Sequence, residues 1–411
     1  MELIRIFSKF SYFYTIMQIP FISPAMSAEI SLHVSKVQSL MEADSALLIA
    51  GNVNVFYTAG RFFRGYVWLP SSGRPLYFVV KPQIFEGAPD VVCIRKPEQI
   101  PAELEARGLP LPQTVGLEED VLSYSDVMRL SKVFPGAAAF NSTPLLRNAR
   151  MVKTPYEIGQ MRIDGEKQVK VYGMIAGLYH PGMTDLQLQI AIERELRLEG
   201  CLGYARVAGN LMEINLGSVL AGDNADTPSP YEFAMGGAGA DPSLPGGADG
   251  TLIRKGQTVM VDMNGAFNAY QTDMTRVWTL GDLPDLALRA HECSRNILRT
   301  LERLALPGVE VCELYFKAVD MARSEGLEDY FMGHSQQSGF IGHGVGIELN
   351  EQPPVAPRCK VVLQAGMTLA LEPKFVIPGV GAVGVENTYA VREQGLECLT
   401  PFTEEIIRFK A

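Results

Sequence analysis

A strand-sized pattern occurs twice in this chain, and each time it ends in a carboxylate. Gly256-Gln257-Thr258-Val259-Met260-Val261-Asp262 recurs 110 positions later (256 to 366) as Gly366-Met367-Thr368-Leu369-Ala370-Leu371-Glu372. Past each acid the pattern continues. A Gly-containing turn leads from Asp262 to Asp273-Met274-Thr275, and a Gly/Pro-rich turn leads from Glu372 to Glu386-Asn387-Thr388. Each copy therefore reads as a hairpin with an acid on both arms. Upstream, Pro181-Gly182 and Glu199-Gly200 bracket a helical pattern of Leu186, Leu188, Ile190, Ile192 and Leu196. Pro307-Gly308 and Glu325-Gly326 bracket another at an offset of 126 (181 to 307, 199 to 325). Two copies of helix, helix, hairpin fill the C-terminal two-thirds, too long a unit for a solenoid and too few for a propeller. A pseudo-twofold pair relates Asp262 to Glu372 and Asp273 to Glu386, and its facing hairpins gather all four acids at the centre.

Four carboxylates a few ångströms apart raise one another's pKa strongly unless a cation intervenes. A metal is the economical cation. The neutral ligand is expected from His343 in Gly342-His343-Gly344-Val345-Gly346, where small residues let the backbone pack closely against a site. Two Asp, two Glu and one His form an oxygen-rich set with one imidazole. Such a set suits a pair of manganese, cobalt, zinc or iron ions and disfavours thiolate chemistry.

With these residues in view the chain resembles the creatinase/aminopeptidase P family, the pita-bread metallopeptidases that include prolidase and methionine aminopeptidase. The matching positions are Asp262, Asp273, His343 in Gly-His-Gly-Val-Gly, Glu372 in Leu-Glu-Pro, and Glu386 in Val-Glu-Asn-Thr. Lys153-Thr154-Pro155-Tyr156-Glu157 resembles the family's entry to its catalytic domain, and residues 52–60 (Asn-Val-Asn-Val-Phe-Tyr-Thr-Ala-Gly) resemble its N-terminal domain. The resemblance implies an α+β protein: a pita-bread catalytic domain with internal pseudo-twofold duplication over 148–411, preceded by a smaller α/β creatinase-type domain over 29–147. It implies two divalent ions, manganese foremost, with Asp273 and Glu386 bridging, Asp262 on one ion, and His343 with Glu372 on the other. Glu372 is the implied acceptor of the water's proton, and a homodimer is the implied assembly.

The outer shell departs from the family. A second histidine, usual seven residues after the metal-binding one, is replaced by Asn350; a further histidine is missing from Gly222–Tyr231; and the usual arginine two residues before the last glutamate is Gly384. Asn350 cannot shuttle a proton but can hydrogen-bond a substrate or tetrahedral oxygen. His334, nine residues before His343, is the candidate substitute proton carrier, ahead of Asp226, Ser229 and Tyr231 on the Gly/Pro-rich loop 222–250, which is expected to lie over the site.

At 411 residues and 47% apolar content, two domains with full cores are expected. A net charge of −10 without a basic cluster argues against nucleic acid. Six scattered cysteines read as reduced core residues of a cytoplasmic protein. Residues 1–28 read as disordered, a mis-assigned start or a weak signal-like segment, centred on 10–22. No later stretch reaches about 18 uninterrupted apolar residues, so no membrane span is expected. The expected activity is metal-dependent hydrolysis of short Xaa-Pro peptides. The alternatives are a small-molecule enzyme resembling dimethylsulfoniopropionate lyase or creatinase, and a binding module with a dead site.

Overall fold

The computed structural model describes residues 21–85, 87–209 and 213–410, so the signal-like run at 10–22 lies, but for Phe21 and Ile22, outside the described residues. The chain divides into two compact units, Met1–Ala149 and Arg150–Ala411. The first is a mixed six-stranded sheet. Its strands β1 (Ser45–Ile49), β2 (Arg64–Pro70), β3 (Leu76–Lys81), β4 (Val91–Cys93), β5 (Thr114–Leu117) and β6 (Ala138–Asn141) lie in the order β4-β3-β2-β1-β5-β6. The helices are α1 (Pro24–Gln38), α2 (Asn52–Ala59), α3 (Ile100–Glu105), α4 (Tyr124–Leu130) and α5 (Thr143–Met151), the last running across the division.

The first helix, α1, lies at the start of this unit. It begins at Pro24, whose fixed φ and missing N–H suit a first turn, and ends at Gln38. Residues 21–28, set aside with the leader, belong to this unit: Phe21 is buried against the rings of Phe63, Tyr77 and Phe85.

The second unit is built in two halves. Helix α6 (Pro155–Tyr172) opens with Thr154 accepting from the Glu157 N–H while Glu157 reaches back to Thr154 N, a reciprocal cap behind Pro155. It gives way to a 3₁₀ turn at Ile175–Gly177. Helix α7 (Asp185–Leu198) follows, then β7 (Gly217–Ala221), β8 (Thr258–Gly265) and β9 (Thr272–Thr279). The second half repeats this order with α8 (Asp285–Leu304), α9 (Val311–Ser324), β10 (Gly342–Gly344), β11 (Thr368–Leu371), β12 (Lys374–Ile377), β13 (Gly381–Gly384), β14 (Asn387–Arg392) and β15 (Gly395–Cys398), closed by β16 (Ile407–Arg408). Two four-stranded sheets result, β7-β8-β9-β16 and β10-β11-β14-β15, each with its two acid-bearing arms in the middle. One apolar core gathers Leu188, Ile192 and Trp278 with the first half, and another gathers Ile297, Leu314 and Leu369 with the second.

The second hairpin is not a plain copy of the first. β8 and β9 pair along their length, with Asp262 opposite Thr275 and Asn264 opposite Asp273. β11 and β14 pair only from Thr368–Ala390 to Leu371–Asn387, and the segment between them forms a separate ribbon of β12 and β13. The turn expected after Glu372 is this ribbon, and its first residue is Lys374.

Candidate metal centre

Helix α6 fixes the first pair of acids. Asp164, Gln168 and Tyr172 recur at four-residue spacing and share one helix face. Asp164 accepts from the Phe267 N–H, Gln168 donates to Met263 O and accepts from Thr272, and Tyr172 donates to Met274 O and accepts from the Met263 N–H. Burial pushes the Asp164 carboxyl up to about 7, against the opposing effect of the backbone N–H groups it accepts. The second pair is tied to the first across the halves. Thr275 Oγ1 donates to Glu386 Oε2 at 2.6 Å, the Asp273 N–H donates to Thr388 Oγ1 at 2.7 Å, and Arg276 donates to Glu386 O and Asn387 Oδ1.

His343 enters from β10, opposite Ala370. Gly344 beside it is required, because a Cβ there would stand 2.2 Å from Gln352 O. The imidazole Nδ1 lies 3.0 Å from Gly344 O, and a carbonyl only accepts, so Nδ1 carries the proton and Nε2 presents its lone pair. Nε2 stands 3.8 Å from both Asp273 Oδ2 and Glu372 Oε1. Ligand atoms of Asp273, His343 and Glu386 all lie within 4.8 Å of one another, as do those of Asp262, Glu372 and Glu386. The structure thus brings all five expected ligands together in two triads that share Glu386.

The residue that sequence reasoning missed sits among them. Lys374 is fully buried, and its Nζ donates to Asp262 Oδ2 at 2.8 Å, Glu372 Oε2 at 2.7 Å and Glu386 Oε2 at 3.1 Å. Burial alone would make this ammonium easier to deprotonate, but the three carboxylates outweigh it and hold the Lys374 pKa well above the ordinary value. Burial first, then the neighbouring carboxylates, hold Asp273 and Glu386 well above the usual carboxylate range, with Lys374 offsetting part of this. Glu386 Oε1 is buried with no hydrogen-bond partner among the described residues. An orphaned buried oxygen within reach of an imidazole lone pair and other carboxylates is what a divalent cation would satisfy.

The centre opens on a cavity of about 280 Å³ lined by Asp262, Asp273, His343 and Glu372, with Phe233, Phe340 and Leu349 among its apolar walls. Residues 232–235 of the loop 222–250 supply part of one wall, as expected of that loop. Asn350 lines the cavity, but its amide is committed: Oδ1 accepts from the Ala208 N–H at 2.6 Å and Nδ2 donates to Ala208 O at 3.0 Å. These two bonds hold the neighbouring segment in place. Beside it Glu351 is buried against Lys153 at 2.9 Å and Arg150 at 3.5 Å. Burial pushes its carboxyl up, yet these two cations hold it below the ordinary range.

His334 is a clear correction. It is absent from the cavity wall, its side chain is 40% exposed, and Nδ1 pairs with Asp226 at 3.2 Å while the ring stacks on Tyr330. Left-handed backbone at Met332 (φ 56°) and the turn at Gly333 (φ 119°) precede it. Asp226 is occupied by His334 and Ser335, and Ser229 bonds within its own loop to Pro245 O. Tyr231 donates to Glu213. None of the four lines the metal-centre cavity.

The profile of metallopeptidase family M24 matches residues 159–393, and that of the creatinase/prolidase N-terminal domain matches residues 34–152. An Xaa-Pro dipeptidase of Pyrococcus horikoshii is 25% identical over 388 residues, covering 91% of this chain and 98% of the relative. Among solved structures, an Xaa-Pro dipeptidase from Bacillus anthracis superposes with a TM-score of 0.76 at 21% identity, over 92% of this chain and 99% of that one. An X-Pro aminopeptidase from Thermotoga maritima gives 0.74 at 20% identity, over 90% and 99%.

Proposed function

We propose, from the premise that this chain belongs to metallopeptidase family M24, that it hydrolyses short peptides with proline after the scissile bond, using divalent metal bound within the cluster of Asp262, Asp273, His343, Glu372 and Glu386. The observation that carries this is the convergence of those five side chains beside a cavity that four of them line. By ligand count the two triads could hold two ions, and an oxygen-rich set with one imidazole favours manganese.

When bound, a divalent cation acidifies a water and polarises a carbonyl oxygen. The remaining work falls to the protein. Lys374 and Thr275 fix one oxygen each of Glu372 and Glu386, so that the other oxygen of each carboxylate is aimed without rearrangement. Glu372, with one oxygen fixed by Lys374, is the base that would take the water's proton. The cavity lies at the small end of ligand pockets, which run about 300–1,000 Å³, and suits a dipeptide better than a long chain. Phe233, Phe340 and Leu349 offer an apolar wall to a proline ring.

The relatives named as Xaa-Pro dipeptidases support the peptidase reading over the lyase or small-molecule alternative. Six unpaired cysteines suit a reducing, cytoplasmic setting, and a homodimer is carried by the family resemblance alone; light scattering tests it. Among the described residues no helix is long and apolar enough to cross a membrane.

The decisive experiment compares chelator-treated and manganese-loaded protein on Xaa-Pro dipeptides, dipeptides lacking proline, and small zwitterionic non-peptides. Manganese-dependent release of proline is the expected result. Turnover of a non-peptide with no cleavage of any Xaa-Pro bond would replace the peptidase by the small-molecule reading.

A further inference from the structure

Lys374 lies where one of two metal ions would have to lie. Its ammonium bonds one oxygen from each of Asp262, Glu372 and Glu386, and these three residues are one of the two triads whose ligand atoms converge. An ion bonded to the same three oxygens would be in direct contact with a positive charge. Lys374 pairs with Gly384 across the β12–β13 ribbon, and a Cβ at position 384 would stand 2.8 Å from the Lys374 Cα and 3.3 Å from its Cγ. The backbone is clamped as well, with Lys374 O accepting from the Met332 N–H at 2.8 Å. Withdrawing the ammonium would strand a fully buried cation without its counter-charges, which buried charges do not tolerate.

The other triad is undisturbed. Lys374 takes Glu372 Oε2 and Glu386 Oε2, and Thr275 also takes the latter. Glu372 Oε1 and Asp273 Oδ2 remain turned toward His343 Nε2, and Glu386 Oε1 remains without a hydrogen bond among the described residues. Three carboxylate oxygens and one imidazole nitrogen are a full ligand set for a single dication.

Resting on the metal-dependent reading above, we infer that this protein holds one divalent ion, at Asp273, His343, Glu372 and Glu386, and that the Lys374 ammonium is a resident cation in place of the second. Asp262 is then a partner of Lys374 and not a metal ligand. The cation that anchors one side of Glu372 and Glu386 is covalently part of the chain, so it cannot be lost by chelation.

The test counts metal without relying on turnover. Chelator-treated full-length protein is equilibrated with manganese(II), freed of loosely held ion, and analysed for manganese per chain and by electron paramagnetic resonance. The wild type is expected to carry one ion per chain with the resolved six-line signal of an isolated manganese(II). Lys374→Gly is expected to take up a second ion and to show the broadened spectrum of a coupled pair. Two coupled ions in the wild type would overturn the inference while leaving the metal-dependent reading intact, and no bound ion in the wild type would overturn both. A folded Lys374→Gly that still holds one ion would also overturn it. Should that variant not fold, Asp262→Asn serves instead: the inference expects the wild-type count of one to be retained, and loss of the ion contradicts it.

Discussion

Replacing Lys374 by methionine removes the one cation among the described residues that faces Asp262, Glu372 and Glu386 at 2.7–3.1 Å and leaves a side chain of similar length. In metal-free protein three carboxylates, two of them almost fully buried, then lack that counter-charge. Breaking a buried pair by deleting one partner costs about 3–5 kcal/mol, because the charge left behind is uncompensated. A unit of this size shifts its melting temperature by roughly 2–4 °C per kcal/mol, so chelator-treated Lys374→Met is expected to melt on the order of 10 °C below wild type. Added manganese should recover most of that difference, since a dication can bind the vacated oxygens and stabilises the folded state by mass action. Differential scanning calorimetry of both proteins, with chelator and with manganese, reads the two effects separately. A chelator-treated variant melting within about 2 °C of wild type would refute the claim that this ammonium is what balances the carboxylates.

Three further outcomes follow from the geometry. Asp164, with its pKa raised to about 7 from an ordinary 3.8, binds more protons folded than unfolded between those values, so its contribution to stability is present at low pH and lost as pH rises toward 7. Asp164→Asn, which keeps an acceptor for the Phe267 N–H, is therefore expected to gain up to about 4 kcal/mol over wild type at pH 8 and nothing at pH 4; urea unfolding at both pH values checks this. Asn350→Ala releases the Ala208 segment from the cavity wall, so KM should rise while kcat falls less than about tenfold. A kcat loss of about 10²–10⁴-fold would instead mark a direct acid–base or orienting role. His334→Ala should leave kcat/KM within about twofold, and a pH profile losing a limb near neutrality would show that His334 reaches the chemistry after all.

The five candidate ligands were legible in the sequence because strand periodicity and turn chemistry are local. Glycine, threonine and three apolar residues before an acid specify a buried strand that carries a carboxylate, and the structure has buried strands at both places, with Asp262 inside β8 and Glu372 just past β11. The opening of α6 was legible through the resemblance of Lys153–Glu157 to the family's entry, and the structure shows the Thr154–Glu157 cap there. What was not legible depends on partners distant in sequence. A lysine two residues after a strand-ending glutamate reads as a solvated turn residue, and only the split of the second hairpin into a β12–β13 ribbon buries it. The apolar run Phe375-Val376-Ile377 after it was the available signal for a strand there. Asn350 reads as a lost histidine until Ala208, 142 residues away, is seen to occupy both ends of its amide. His334 is near His343 in sequence, but the turn at Met332 and Gly333 and the pairing with Asp226 hold it at the surface.

The central claim is that four of these side chains hold a catalytic divalent ion beside a built-in ammonium. Anomalous diffraction at the manganese edge, from crystals of the manganese-loaded wild type, tests it most directly. The account predicts one strong peak within bonding reach of His343 Nε2 and of the carboxylate oxygens of Asp273, Glu372 and Glu386, with Lys374 still on Asp262. A second peak between Asp262, Glu372 and Glu386 with the lysine displaced, or no peak at His343, would contradict it.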